Sequence, residues 1–345
     1  MNVTVLGTGG TIASTDSETG AVPTERGTEL VERVPALREY GDISVEQVAQ
    51  VPSYEMTAET LELVGERVAE LDDDSGTDAI VVTHGTDTMA ETAYFLDATR
   101  RPTTPVLLTG AQRRPDERSS DGPANLVTAF AAARAFADGG HGGTFVAFDG
   151  AVHSARYATK VHTSALDAFS SPGVGPVATH DREDVRILRR PRSETEHIPD
   201  ASLDPTVFVV GSGAGADERL AAAALDAGAD GLVVNGTGLG NVTASLGEFV
   251  ESTVRNGTPV VVASRCVAGR TTPVYGGAGG GETLRNAGAM FAGDLPAHKA
   301  RLKLALALST YSGEKDGCEE SDGRTGSDGD DESDEHEKLR ALFDG

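Results

Sequence analysis

The sequence predicts an α/β protein: a large N-terminal domain on a mostly parallel sheet with helices on both faces, then a smaller C-terminal α/β domain. Three observations carry this. Short apolar runs of strand length alternate with segments of helical period. Glycine turns close the early strands. One stretch rich in Arg and Pro, residues 186–205, interrupts the alternation and reads as a linker.

The elements follow in order. Val3–Leu6 is an apolar run ending in Gly7-Thr8-Gly9-Gly10-Thr11, a strand and its glycine turn. Thr57–Leu71 spaces Leu61, Val64, Val68 and Leu71 at a helical period. Asp78–Thr83 is a buried strand, Asp87–Leu96 a helix and Pro105–Thr109 a strand. Ser120-Asp121-Gly122-Pro123 opens a helix with Ala124–Ala137 as its body, and Gly143–Phe148 is the next strand. Residues 1–185 form the N-terminal domain.

The alternation resumes in a second domain, 206–312. Its strands are Thr206–Val210, Gly231–Val234 and Pro259–Ala263; its helices are Ala216–Ala227, Ser245–Val254 and His298–Leu308. Residues 313–345 hold 13 acids and four bases among Gly and Ser. Like-charge blocks of this kind do not collapse, so a disordered, solvating tail is expected, with residues 337–343 as a transient helix. Asp328-Gly329-Asp330-Asp331-Glu332 does not fit a calcium-binding loop.

The 345 residues suit two domains, and 38% hydrophobic content suffices for a substantial core. No apolar run approaches the roughly 20 residues of a membrane span. The first residues read as a strand rather than a secretory signal, which points to a cytoplasmic protein. Two cysteines, Cys266 and Cys318, support neither a disulfide framework nor a Cys-based zinc site.

Fifty-four acids against 29 bases give a net charge of −25, which argues against nucleic acid and anionic membranes as partners. Of the bases, 24 are Arg and five are Lys. An acid excess with lysine nearly absent points to high salt, where screening makes self-repulsion cheap, and hence to a haloarchaeal source. Lys160 is the only lysine in the first 298 residues.

Two early strand ends carry small hydroxyl residues beside glycines: Gly7-Thr8-Gly9-Gly10-Thr11-Ile12-Ala13-Ser14 and Thr83-His84-Gly85-Thr86-Asp87-Thr88. In open α/β sheets ligands bind beyond the carboxyl ends of the strands. Glycines there let backbone approach a ligand and leave N–H groups for an anion. The first loop fails the dinucleotide pattern because Ile12 holds the third glycine's place. Gly211-Ser212-Gly213-Ala214-Gly215-Ala216 fits it, but the acidic residue that ribose binding needs does not follow. His84 admits two readings, a general base or a structural histidine. The eight histidines are scattered and no H-E-x-x-H occurs, so neither a metal nor another cofactor is expected. A hydroxyl nucleophile needs a base and an oxyanion stabiliser. The candidates are Thr11 and Thr86 as nucleophiles, Asp87 as carboxylate and Lys160 as base.

In order along the chain stand Thr8-Gly9-Gly10-Thr11-Ile12-Ala13-Ser14, His84-Gly85-Thr86-Asp87-Thr88-Met89-Ala90-Glu91-Thr92-Ala93, Thr109-Gly110-Ala111-Gln112, Ser119-Ser120-Asp121-Gly122-Pro123-Ala124-Asn125-Leu126 and Ala158-Thr159-Lys160. Over residues 1–312 the chain thereby resembles the bacterial and archaeal L-asparaginases of the threonine-nucleophile family. The resemblance implies that Thr11 attacks the side-chain amide carbon, releasing ammonia, and that water then frees aspartate. It implies a second group of Thr86, Asp87 and Lys160, with Lys160 as base. The Thr86 N–H and groups near Ala111 would hold the oxyanion. Asp87 would bind the substrate's ammonium and Ser53 its carboxylate. Asn241 would reach a neighbouring subunit's site, which implies a homodimer or homotetramer.

The chain departs from the family at several positions. Ala21 stands where many members have a loop tyrosine, and Tyr54 follows Ser53 where the high-affinity bacterial enzymes have glutamine. Their C-terminal-domain glutamate has no counterpart in Thr272-Pro273-Val274-Tyr275-Gly276-Gly277, where Tyr275 is a candidate to replace the missing phenol. These changes bear on affinity, glutamine tolerance and lid mechanics, not on reaction class. Three readings follow: an asparagine amidohydrolase, an amidase acting on glutamine or a glutaminyl-tRNA, and a non-catalytic asparagine sensor.

Overall fold

In the computed structural model, residues 1–15, 22–24, 27–182, 184–316 and 337–343 are described. The chain divides into two compact units, Met1–Pro199 and Asp200–Gly345.

The first unit runs β1 (Asn2–Gly9), a short pair β2 (Ser14–Thr15) and β3 (Val22–Pro23), α1 (Gly27–Glu32), β4 (Asp42–Val51), α2 (Ala58–Asp73), β5 (Ala79–Thr83), α3 (Met89–Thr99), β6 (Pro105–Thr109), α4 (Gly122–Asp138) and β7 (Gly143–Phe148). It continues through β8 (Ala151–Ser154), a second short pair β9 (Thr159–Lys160) and β10 (Phe169–Ser170), then β11 (Ala178–Asp181) and β12 (Asp184–Ile187). The main sheet has eight strands in the order β12-β11-β8-β7-β6-β5-β1-β4. β4, β1, β5, β6 and β7 are parallel, while β8, β11 and β12 join antiparallel. The sheet is therefore mostly parallel.

Every residue of β5, β6 and β7 is buried, which is why these strands read as unbroken apolar runs. α4 packs on the face formed by Val3, Val5, Ala79, Val81, Leu107, Phe145 and Ala147. The alternate residues face the other way, and there α3 touches β6 and β7. Alanines along α4 let it lie close to the sheet, while Phe130 and Phe136, both fully buried, fill the remaining depth. Truncating Phe130 to alanine would cost about 3–5 kcal/mol. α2 starts where Thr57 accepts the Thr60 N–H at 3.2 Å and buries Leu61, Val64, Val68 and Leu71, the stripe its spacing predicts.

The second unit holds β13 (Val207–Gly211), α5 (Arg219–Asp226), β14 (Gly231–Gly236), α6 (Ala244–Arg255), β15 (Val260–Ser264), α7 (Gly281–Ala287), β16 (Met290–Phe291) and α8 (Ala297–Asp316). Its four strands are parallel in sequence order. Val210, Leu232, Val234, Leu246, Val250 and Leu284 anchor its core.

Two boundaries fall differently from expectation. The stretch expected as a linker, 186–205, begins inside the main sheet, because Arg186 and Ile187 pair with Thr179 and Ala178 as an antiparallel edge. Such an edge needs only one covered face, so its apolar content is low. The tail expected from residue 313 starts later, because α8 continues to Asp316. Residues 337–343, where a transient helix is expected, are helical with Leu339 and Phe343 buried. These two apolar side chains sit one turn apart, and the Lys303 ammonium lies 4.9 Å from the centre of the Phe343 ring. Residues 317–336 lie outside the described residues, as does Cys318; Cys266 is a free, exposed thiol. Among the described residues no helix is long and apolar enough to cross a membrane.

Candidate active site

The parallel part of the main sheet changes direction at β1. The chain moves from β1 to β4 on one side, then to β5 on the other. The connections leaving β1 and β5 therefore run on to opposite sides of the sheet, and the carboxyl ends of two such strands are the usual binding place. The two hydroxyl-bearing loops occupy it.

The loops meet through backbone. Gly10, at φ 82°, caps the short helical turn Thr11–Ala13, and the Ala13 N–H and Ser14 hydroxyl both donate to its carbonyl. A Cβ on Gly10 would lie 2.2 Å from the Gly85 nitrogen, so only glycine fits. Thr11 is thus carried directly beside the Gly85-Thr86 segment, half-exposed, on a turn whose Ile12 and Ala13 are buried.

Ser53 also packs on Gly85. A Cβ on Gly85 would come within 2.5 Å of the Ser53 Oγ. That oxygen accepts the Asp87 N–H at 3.2 Å, and the Thr88 hydroxyl donates to the Ser53 carbonyl at 2.7 Å. Ser53 is 4% exposed, so it is part of the wall that shapes the Asp87 turn.

Lys160 reaches the same place from β9. Its ammonium donates to Thr86 Oγ1 at 2.8 Å and to Asp87 Oδ1 at 2.6 Å. The short pairing of Thr159 and Lys160 with Ser170 and Phe169 fixes the strand that presents it. Thr86 is buried, the Lys160 side chain is 17% exposed and that of Asp87 is 55% exposed. A cleft of about 370 Å³ opens here, lined by Asp87, Lys160, Val161, His162 and Thr163. At its edge the His162 Nδ1 accepts the N–H groups of Ser164 and Ala165.

Ala111 is buried at the end of β6, in a loop held by residues to which the sequence assigns no role. Asp121 accepts the N–H groups of Gln112 and Arg113, and Asn125 donates to the Gly110 carbonyl at 3.0 Å and to Asp121. The signal that could have found them is an asparagine inside the alanine-rich body of a helix, here only 2% exposed.

The structure therefore brings together Thr86, Asp87, Lys160 and Ser53, with the Thr11 turn seated on Gly85 and Ala111 one strand away. Asn241 and Tyr275 belong to the second unit. There the Asn241 Oδ1 accepts the Gly281 N–H at 3.1 Å, and Tyr275 is 58% exposed. Tyr54 is also exposed. Ala21 lies outside the described residues. Among the described residues no group of three or more His, Cys, Asp or Glu could hold a metal ion.

His84 does not face the cleft. It is fully buried behind the loop, with both ring nitrogens engaged, and burial pushes its pKa down to about 4. Of its two sequence readings, the geometry fits the structural one.

Comparison with known proteins follows the same division. Residues 2–193 match the family model for the N-terminal asparaginase domain, and residues 206–318 match the glutaminase/asparaginase C-terminal domain. A probable L-asparaginase of Deinococcus radiodurans is 39% identical over 316 residues, covering 90% of this chain and 94% of that protein. A glutamyl-tRNA(Gln) amidotransferase subunit from Aeropyrum pernix is 36% identical over 325 residues, covering 89% of this chain and 74% of that one. The crystal structure of a probable cytoplasmic L-asparaginase from Campylobacter jejuni superposes with a TM-score of 0.80 at 31% identity, covering 99% of this chain and 98% of that one.

Proposed function

This chain belongs to the asparaginase family and is an amidohydrolase, and from that premise we propose that it hydrolyses L-asparagine to L-aspartate and ammonia through an ester on Thr11. One observation carries the reading. A single lysine ammonium donates to both Thr86 Oγ1 and Asp87 Oδ1 beside the Thr11 turn. That is the set of groups a threonine nucleophile requires, with a base, a carboxylate and backbone donors in one crevice.

In this reading the Thr11 oxygen attacks the side-chain amide carbon, and its proton passes to the departing nitrogen, which leaves as ammonia. Water then attacks the ester; Lys160, acting as the neutral amine, takes the water's proton through Thr86, a proton returns to the Thr11 oxygen as the ester C–O bond breaks, and aspartate is released. The Thr86 N–H and the Ala111 loop hold the oxyanion in both halves. Asp87 binds the substrate's ammonium and Ser53 its carboxylate. Asn241 completes the site of a neighbouring subunit, so the active form is a homodimer or homotetramer. No cofactor enters these steps. The likeness to a probable cytoplasmic L-asparaginase from Campylobacter jejuni supports a cytoplasmic setting.

Ammonia release from asparagine, glutamine and a charged tRNA tests the substrate. We expect asparagine to give the highest kcat/KM. The Aeropyrum pernix relative keeps a second reading in view, an amidase serving tRNA, but a charge of −25 opposes an RNA partner. Release from glutamine or the charged tRNA alone would favour it, and release from none would leave the sensor.

The acid excess and scarce lysine lead us further to propose a high-salt, archaeal setting. The melting temperature should then rise between about 0.1 M KCl, where the Debye length is about 10 Å, and about 3 M. A flat or falling curve counts against salt adaptation.

A further inference from the structure

His84 is the buried titratable group closest to the chemistry that the reaction scheme leaves without a role. Its backbone is pinned: the N–H donates to the Thr109 carbonyl at 2.8 Å, and the carbonyl packs on Gly110, where a Cβ would come within 2.3 Å. Its ring faces back along its own chain. Nδ1 lies 2.7 Å from the Gly85 carbonyl oxygen and Nε2 lies 2.9 Å from Thr92 Oγ1.

A carbonyl only accepts, so Nδ1 carries the proton and donates it. The ring is fully buried and neutral at pH 7. Nε2 is then bare and accepts the Thr92 hydroxyl proton. The Thr88 carbonyl, also near that hydroxyl, receives the helix's own Thr92 N–H at 3.0 Å. This assignment leaves no polar atom of the ring without a partner.

The consequence lies across the peptide. The Gly85–Thr86 bond is trans, so its C=O and N–H point in opposite directions. A donor in the core that holds the Gly85 carbonyl inward aims the Thr86 N–H outward, toward the crevice. Among the described residues nothing accepts that N–H. A donor on the carbonyl also polarises the peptide and strengthens its N–H as a donor. We propose that His84 is a positioning residue for the oxyanion site: by holding the Gly85 carbonyl it directs the Thr86 N–H at the oxygen that becomes negative in the transition state. This rests on the reading of Thr86 given above.

An asparagine side chain places its amide nitrogen near the position of a histidine Nδ1, whereas glutamine places it near Nε2. H84N should therefore keep kcat within about threefold of wild type. H84Q should lower kcat roughly 10–100-fold with KM nearly unchanged, somewhat less than deletion of an oxyanion donor. Equal kcat for the two folded variants, or a loss confined to KM, would overturn the proposal. Nitrogen NMR of histidine-labelled wild-type protein tests the bond without any variant. A protonated Nδ1 and a bare Nε2 are expected for His84, and the opposite tautomer would overturn it. Absence of ammonia release by the wild type would instead sink the amidase reading and leave the tautomer result standing.

Discussion

The two sheets are built alike and used differently. Both are parallel where the helices cover them, and both end strands in small residues. In the second unit Gly211 ends β13 and Ser212-Gly213 follows it, but the strands are laid down in order, β13 to β16, with no reversal. The Ser212 N–H bonds the neighbouring Asn235 carbonyl, and its side chain is buried. In the first unit the order reverses at β1, so the connections leaving β1 and β5 run to opposite sides of the sheet beside an open cleft. Thr11, Thr86, Asp87 and Lys160 all stand there. Glycine-rich strand ends are thus common to the architecture, whereas a gap able to take a ligand depends on strand order.

The sharpest way to break this contrast is to alter each strand end in turn. Thr11→Ala and Lys160→Met should each lower turnover at least about 100-fold, since nucleophile and base act as a unit. Ser212→Ala should leave turnover unchanged. A folded Thr11 or Lys160 variant keeping more than about a tenth of wild-type turnover would remove the assignment.

Next comes the one residue of the second unit given a part in binding. Asn241→Ala should raise KM more than it lowers kcat, by the equivalent of about 1.5–3 kcal/mol for a hydrogen bond to a charged ligand group. A fully active monomer by light scattering would defeat the shared-site idea whatever that variant shows.

Among the described residues, each unit holds one strongly shifted histidine. Burial holds both His84 and His298 at about 4, against 6.5 when exposed. The unfolded chain therefore binds more protons between these values, so stability falls as the pH drops from 6.5 toward 4. Each should account for about 1.5 kcal/mol between pH 6.5 and 5. Urea unfolding at the two pH values measures the sum, and His298→Gln should flatten the second unit's part of it. The smallest effect expected is at the docked C-terminal helix. Phe343→Ala should lower stability by about 1–2 kcal/mol, after the ordering cost of that segment is offset against its burial. An unchanged melting temperature would mean that the contact contributes nothing.

The parallel core was legible because its strands are buried on both faces and read as apolar runs. β4 was not. Its alternation through Ile43 and Val45 breaks after Gln47, where the pairing with β1 slips between Gly7 and Gly9. A bulge of this kind erases period two. β8, β11 and β12 were missed for another reason: they are four-residue strands, too short for a periodic signal. In the site, the residues that carry charge or a hydroxyl beside glycine were legible by type. Asp121 was not, because a carboxylate before a helix reads as a cap. Here it makes no side-chain cap and holds the Ala111 loop instead. What it grips lies nine positions upstream, and such a bond exists only once α4 has folded back beside β6.

The placement of Lys160 also makes the protein its own chemical probe. Within the first unit the only lysine side chain is that of Lys160. An acylating reagent applied to the native protein, then read by mass spectrometry of the 1–199 region, would report on one side chain. Its rate of labelling would follow how tightly Thr86 and Asp87 hold the ammonium, and substrate in the cleft would show as protection. A protease that cuts after lysine would leave residues 1–160 whole. That single cut would separate Thr11, Thr86 and Asp87 from everything beyond Lys160, so resistance to it becomes a measure of how firmly the β9 strand is held in place.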